Sequence, residues 1–292
     1  MNQGQIIEGR GGLYTVRDAS GERYVLRAKK TFRRMGLSPL VGDFVLFTPG
    51  REDEHGWVEE ILPRRSAFIR PPVANVETLC IVLAAVPMPD WYLADKLLLS
   101  ARMQGIRPLI IINKCDMNEQ ALFDARRMYR AAETRVIGVS AKEGTGLQTL
   151  KEALQDSLCC FSGQSGVGKS TLLSLLLDRP LETGSLSEKI GRGKQTTRHV
   201  SLLEKDGLRV LDTPGFSLLE APQNMEPPEL LHYYPEFAAY VGQCRFAPCF
   251  HVQEPGCAVR EAEKKGELDH DRMARYRALF EEIQTNWRER YD

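Results

Sequence analysis

Two short motifs stand in reversed order in this chain, and that reversal constrains its fold more than any other feature. Residues 163–171 read GQSGVGKST, a glycine-rich loop set between an apolar strand and a helix, while NKCD closes a run of isoleucines upstream at 113–116. In the ordinary nucleotide-binding arrangement the glycine-rich loop comes first. Either one motif is accidental, or the domain is circularly permuted, with its usual ends joined and a new break made elsewhere.

The texture between residues 67 and 220 supports a single domain. The runs TLCIVLAAV, RPLIIIN, RVIGVS and LCCFSG are near-continuous apolar strands, and helical segments over 90–104, 119–132, 146–156 and 169–177 separate or follow them. Such alternation indicates a parallel sheet covered on both faces. VSLLEK and LRVLDT then read as a strand pair. In open sheets of this kind ligands bind at the carboxyl ends of the strands, which is where the motifs fall.

Each motif has its own chemistry. In the glycine-rich loop, Gly163 and Gly168 permit a wrap in which the N–H groups of Gln164, Ser165, Gly166, Val167 and Thr171's helix face phosphates, helped by the positive end of that helix. Lys169 is expected to reach the β- and γ-phosphates, and the Ser170 hydroxyl to ligate Mg²⁺. The Asp116 carboxylate can accept from both the ring N–H and the exocyclic amine of guanine, whereas adenine presents an unprotonated ring nitrogen there. Asn113 is expected to tie this reader loop to the phosphate loop, and the Lys114 stem to lie over the base. In VSAK, Ser140 closes the next strand and the Ala141 N–H is placed to meet the guanine oxygen. LDTPG supplies Asp212, a water-mediated Mg²⁺ partner, and the Gly215 N–H for the γ-phosphate; in GRGKQTTRH, Thr196 or Thr197 is the switch threonine. Read along the chain, these segments give guanine reader, alanine loop, phosphate loop, switch threonines and Asp-x-x-Gly. Joining the end to the beginning restores the ordinary order, so the domain is read as permuted, with GTP and GDP as its ligands.

The flanks are different in kind. Residues 1–66 carry five short strand patterns punctuated by Gly11-Gly12, Ser20-Gly21, Pro49-Gly50 and Gly56, which suggests a small closed barrel of the oligonucleotide-binding (OB) type. Lys+Arg and Asp+Glu balance at 39 each, so net charge gives no support for nucleic-acid binding. Between Arg23 and Gly42, however, stand six basic residues and no acid. That run suits phosphate contacts, and equally suits a solvated strand edge guarded by lysines. Residues 221–292 hold CRFAPCFHVQEPGC, whose Cys244, Cys249, His251 and Cys257 are soft ligands fit for one tetrahedral structural Zn²⁺, the alternative being buried thiols beside a surface histidine. A helical tail follows, with Met273, Tyr276, Phe280, Ile283 and Trp287 on one face, suited to packing on its own domain. No apolar run approaches the ~18 residues of a membrane span, and seven cysteines without a secretory leader read as reduced thiols or metal ligands, so a cytoplasmic, membrane-free protein is expected, as a monomer.

With these motifs in view, the sequence resembles the ribosome small subunit-dependent GTPase A family of circularly permuted GTPases. The likeness spans VGDFV, RRSAFIRPPVANVETLCIV, NKCD, GQSGVGKSTLL, GRGKQTTRH, DTPGF and CRFAPCFHVQEPGCAVREA. It implies an N-terminal OB barrel (1–66), a central permuted GTPase (67–220) and a C-terminal zinc domain (221–292). It further implies GTP hydrolysis stimulated by the small ribosomal subunit, binding to that subunit's rRNA, and a role in late subunit maturation; the rival reading is a GTP-controlled RNA-binding adaptor whose hydrolysis is incidental. Many relatives carry His-Thr-Thr in the first switch, the histidine being implicated in hydrolysis; here Gln195 stands in that place and is the candidate water-positioning group, with His199 as the alternative.

Overall fold

The computed structural model describes residues 1–50, 54–68, 71–180, 200–213, 222 and 224–290. The first five strands are β1 (Asn2–Arg10), β2 (Leu13–Asp18), β3 (Arg23–Ala28), β4 (Phe44–Thr48) and β5 (Gly56–Ile61), with the one-turn helix α1 (Lys30–Arg34) between β3 and β4. β1 pairs with β2, β2 with β3, β3 in parallel with β5, β5 with β4, and β4 returns to β1, so the barrel closes as expected. Alternation builds most of its inside: Ile6, Val16, Leu26, Val45, Phe47 and Val58 are fully buried, while Val25, Arg27, Phe44 and Trp57 beside them are exposed.

A short hairpin, β6 (Ala67–Phe68) with β7 (Val73–Ala74), leads into the central sheet. There β8 (Thr78–Ala84), β9 (Arg107–Asn113), β10 (Arg135–Gly138), β11 (Leu158–Ser162) and β13 (Leu208–Asp212) run parallel in the order β10-β9-β8-β11-β13, and β12 (Val200–Lys205) adds antiparallel to β13. Every residue of β8 is buried, because α2 (Trp91–Met103) and α3 (Gln120–Met128) cover one face and α4 (Leu147–Leu154) and α5 (Lys169–Leu176) the other. The helix expected over 119–132 stops at Met128; its last residues turn instead, with Glu133 in the left-handed region.

One connection lay outside the local sequence signal. β12 also pairs antiparallel with β1, placing Gly9 opposite Val200 and Glu8 opposite Ser201, so the barrel and central sheet share one hydrogen-bonded surface. Arg17 adds an ion pair to Glu204, and Arg209 donates to Gln5 at 2.9 Å.

The C-terminal segment contains two 3-10 helical stretches, Pro227–Tyr233 and Pro235–Tyr240, then α6 (Ala258–Lys264) and α7 (His270–Arg288). Met273, Tyr276, Phe280 and Ile283 are buried in a core with Leu230, Tyr234 and Phe237, as the tail's spacing suggests, but Leu99 of α2 joins the same core. The tail therefore packs on the central domain as well. Asp95 of α2 is buried and receives Arg272 at 2.7 Å, Arg275 at 2.6 Å and the Tyr129 hydroxyl at 2.5 Å, while Arg272 also meets buried Glu236 at 3.0 Å. Among the described residues no helix is long and apolar enough to cross a membrane.

Candidate functional site

Because β8, β9, β10, β11 and β13 are parallel, their carboxyl ends lie along one edge of the sheet, and those expected site residues that are among the described ones gather there. The phosphate loop leaves β11 at Ser162 and enters α5 at Lys169. Two of its glycines are required by close approach. Gly163, at φ +139°, would bring a Cβ within 2.0 Å of the Val82 carbonyl oxygen, and Gly168, at φ +91°, would bring one within 2.5 Å of the Asn113 amide nitrogen.

The space left at Gly168 is filled by the reader loop. Asn113 is buried, its Nδ2 donating to the Val167 carbonyl at 2.8 Å and its Oδ1 accepting from the N–H groups of Lys114 at 2.8 Å and Ala141 at 3.1 Å. One side chain thus joins three strand-end loops. The Lys114 ammonium donates to the carbonyls of Gly166 and Val86, at 2.8 and 2.7 Å, and the Ser140 hydroxyl donates to Asp116 Oδ1 at 2.6 Å. Asp116 itself is exposed. The Ala141 N–H, expected to meet a guanine oxygen, is here directed at Asn113, so it would have to be shared to serve a base.

The Lys169 ammonium donates to the carbonyls of Gly163 and Gln164, each at 2.7 Å, and burial pushes its pKa down to about 8. A lysine held against carbonyls in a partly dry loop is prepared for an anion, since phosphate oxygens would restore its charged form. Ser165 and Gly166 are exposed on the loop, Val167 is buried beneath it, and Ser170 and Thr171 open the helix. Asp212 ends β13, half-buried. Gln195, Thr196, Thr197, His199 and Gly215 lie outside the described residues.

The Gln164 side chain was not singled out by sequence from the rest of its loop. Its Oε1 accepts from the Asp90 N–H at 2.7 Å and its Nε2 donates to the Met88 carbonyl at 3.0 Å, while Asp90 caps α2 through Leu93 N–H at 2.9 Å. α2 carries Asp95, Tyr92 and Lys96, the last two bonded to Glu282 of α7 at 2.5 and 2.8 Å. The phosphate loop is therefore tied through one helix to the C-terminal module. Charged residues on amphipathic helices read as solvated, so sequence alone gave no signal for these partners.

In that module the ligand atoms of Cys244, Cys249, His251 and Cys257 all lie within 4.8 Å of one another. His251 Nδ1 stands 3.8, 3.5 and 3.3 Å from the sulfurs of Cys244, Cys249 and Cys257. A tetrahedral zinc with bonds of about 2.3 Å to sulfur and about 2.0 Å to nitrogen would separate these atoms by roughly 3.5 Å, so the residues fit such an ion. The loop is shaped around them: Glu254 accepts from the N–H groups of Phe250 and Val252, at 2.7 and 2.9 Å, and Tyr276 donates to the Phe250 carbonyl at 2.6 Å.

A phosphate loop, a base-reading loop bonded to it and a parallel sheet joined in this order define a circularly permuted GTPase. Comparison with known proteins narrows the class. The family model described as RsgA GTPase matches residues 61–222, and the one described as RsgA N-terminal domain matches residues 3–58. The small ribosomal subunit biogenesis GTPase RsgA of Ruminiclostridium cellulolyticum is 43% identical, covering 97% of this chain and 94% of its own, and that of Caldanaerobacter subterraneus is 41% identical over 99% and 98%. Among solved structures, YjeQ from Thermotoga maritima superposes with a TM-score of 0.79 at 32% identity over 97% of this chain and 98% of its own. YloQ, described as a circularly permuted GTPase, gives 0.77 at 32% identity over 98% and 96%. The chain belongs to the RsgA GTPase family, and it is a GTP hydrolase.

Proposed function

We propose that this protein binds the small ribosomal subunit and its rRNA, assists late maturation of that subunit in the cytoplasm, and hydrolyses GTP to GDP in response to it. The observation that carries the reading is the bonding of Asn113 and Lys114 to Val167 and Gly166, which makes one site of two motifs in reversed order. The names of the relatives, small ribosomal subunit biogenesis GTPases, supply the partner. Release of phosphate from GTP in a single turnover, with and without small subunits, tests it. The division 1–66, 67–220 and 221–292 remains the working assignment of barrel, GTPase and zinc module, acting as a monomer.

Within this reading Asp116 selects guanine, held in aim by Ser140, and Asn113 keeps the base-reading and phosphate loops in fixed relation. The N–H groups of residues 163–171 and the Lys169 ammonium neutralise the phosphates. Ser170, Asp212 and a switch threonine, Thr196 or Thr197, would hold Mg²⁺, which when bound screens charge developing on the β- and γ-phosphates. The Gly215 N–H would sense the γ-phosphate, and Gln195 would orient the attacking water.

The position of Lys169 gives a pH prediction. The protonated form binds phosphate, and its pKa in the free protein is pushed down to about 8 by burial. Below that value the lysine is already charged and affinity is flat; above it, binding must take up a proton, and affinity falls by up to about tenfold per pH unit. Titration of GDP affinity from about pH 7 to about pH 9 should show this slope, and Lys169→Met, weaker throughout, should lack it. A slope shared by the variant would place the titration elsewhere.

Cys244, Cys249, His251 and Cys257 would hold one structural zinc, which ties the ends of an otherwise irregular loop. Because thiolate ligation couples metal binding to folding, the purified protein should carry one zinc per chain, and Cys249→Ser should expose residues 240–260 to protease. The central sheet should persist, since its two face clusters are built from other residues. Complete loss of metal with unchanged protease sensitivity of the C-terminal third would contradict the assignment.

A further inference from the structure

Residues 85–90 join β8 to α2, and hydrogen bonds hold them against the nucleotide site. The Ala85 N–H donates to the Asn113 carbonyl at 3.0 Å, the Val86 carbonyl accepts from the Lys114 ammonium, and the Met88 carbonyl and the Asp90 N–H both bond to the Gln164 side chain. Val86 and Met88 are themselves exposed, so apolar packing contributes little to the position of this segment. Pro87 and Pro89 restrict its backbone and remove two donors, which leaves few other ways to anchor it.

Both halves of the Gln164 amide engage this one segment, the oxygen 2.7 Å from the Asp90 nitrogen and the nitrogen 3.0 Å from the Met88 oxygen. A two-point attachment fixes orientation as well as distance. The backbone carbonyl of Gln164 accepts the Lys169 ammonium at 2.7 Å, so the residue whose side chain grips 86–90 also supports the lysine that meets the phosphates. On the far side of the segment, Asp90 caps α2 at the Leu93 N–H. Over the following turns of α2, Tyr92 and Lys96 bond to Glu282, Asp95 receives Arg272 and Arg275, and Leu99 enters the C-terminal core. Coupling between distant sites travels through contiguous contacts, and here each link is a hydrogen bond, an ion pair or a helix.

We propose that Gln164 is a positioning residue for nucleotide binding: it braces the phosphate loop on residues 86–90, and through α2 that brace couples nucleotide binding to the attachment of the C-terminal module. Without the brace the free loop leaves its bound shape for part of the time, and affinity falls with the fraction that remains competent. The phosphate loop wraps GDP as well as GTP, so the coupling operates with either nucleotide. In that it differs from a signal through the Asp-x-x-Gly segment, which depends on the γ-phosphate. The inference needs the GTPase site alone and not the ribosomal partner.

The test uses the full chain with GDP and GTP. Gln164→Met keeps the length of the side chain and removes both hydrogen bonds, and Gln164→Ala removes the bulk as well. Both should weaken GDP binding by at least about 5-fold, up to the roughly 150-fold that two hydrogen bonds are worth, and in GTP hydrolysis the loss should fall on KM more than on kcat. In the wild-type protein GDP should slow backbone hydrogen exchange in the first turn of α2 and in α7 between Arg272 and Ile283; in Gln164→Met saturated with GDP the slowing in α7 should vanish. From the other end, Glu282→Ala, which removes the bonds from α7 to Tyr92 and Lys96, should weaken GDP binding about 5-fold in the wild-type background and not in the Gln164→Met background. A wild-type protein that binds no GDP would remove the phosphate-loop site itself, and this inference with it. GDP affinity unchanged in Gln164→Met would overturn the positioning role, whatever the small-subunit assay shows. Weaker binding with undiminished slowing in α7, or additive effects of Gln164→Met and Glu282→Ala, would overturn the coupling.

Discussion

Asp116→Asn is expected to weaken GTP binding by roughly 10²- to 10⁴-fold, because two charge-assisted hydrogen bonds to guanine are lost at about 1.5–3 kcal/mol each. The same change should favour xanthosine triphosphate, whose 2-oxo group accepts from the new amide where the carboxylate would repel it. The local geometry makes this a clean substitution. Asp116 is exposed, its Oδ1 accepts the Ser140 hydroxyl at 2.6 Å, and an asparagine can keep that bond through its own carbonyl. Fold and phosphate contacts should therefore survive, and competition between the two nucleotides in wild-type and variant protein reads the base alone. GTP affinity unchanged in Asp116→Asn would remove the reader loop from the site, leaving a phosphate loop without base selection.

GTP hydrolysis should be slow in the free protein and accelerated on the order of 10²-fold or more by small subunits, approaching the roughly 10³- to 10⁵-fold that a supplied arginine achieves in other GTPases. In many GTPases a glutamine directly after Asp-x-x-Gly orients the attacking water, but here the residue is Phe216, which neither donates nor accepts a hydrogen bond. The phosphate loop can still stabilise the transition state, so what is missing is positioning. Gln195 is the candidate to supply it, with His199 behind it. If RNA contacts by the barrel and zinc module set that group against the attacking water, stimulation follows without an arginine from the partner. Gln195→Ala should then lower the stimulated single-turnover rate far more than it lowers GTP affinity. A rate indifferent to subunits would count against the coupling, and full stimulation of Gln195→Ala against this residue.

The structure also shows why some of this molecule was legible in its sequence and some was not. Period and punctuation are local, so the barrel strands, the buried parallel strands and the loops at their ends could be read directly, as could four soft ligands within one short loop. The pairing of Gly9 with Val200 joins segments far apart in the chain, and nothing in either strand's own alternation announces it. Asp95, Glu236 and Arg272 read as solvated charges, because burial of a charge depends on finding its partner in another element; here each finds one, and the three lock α2 to α7. Gln164 is a similar case: its place in the phosphate loop was plain, while its bonds to Met88 and Asp90, which tie that loop to α2, depend on a neighbouring strand end. The short helix Lys30–Arg34 interrupts the basic run that could be read as strand edge or as phosphate-binding surface.

Cosedimentation with purified small ribosomal subunits, in GDP and in a non-hydrolysable GTP analogue, tests the central claim most directly. A permuted GTPase whose second switch runs straight into the zinc module should change its grip on the subunit with the γ-phosphate. The account predicts that the protein pellets with subunits in the analogue and stays largely in the supernatant in GDP. Equal pelleting in both nucleotides, or none in either, would contradict it.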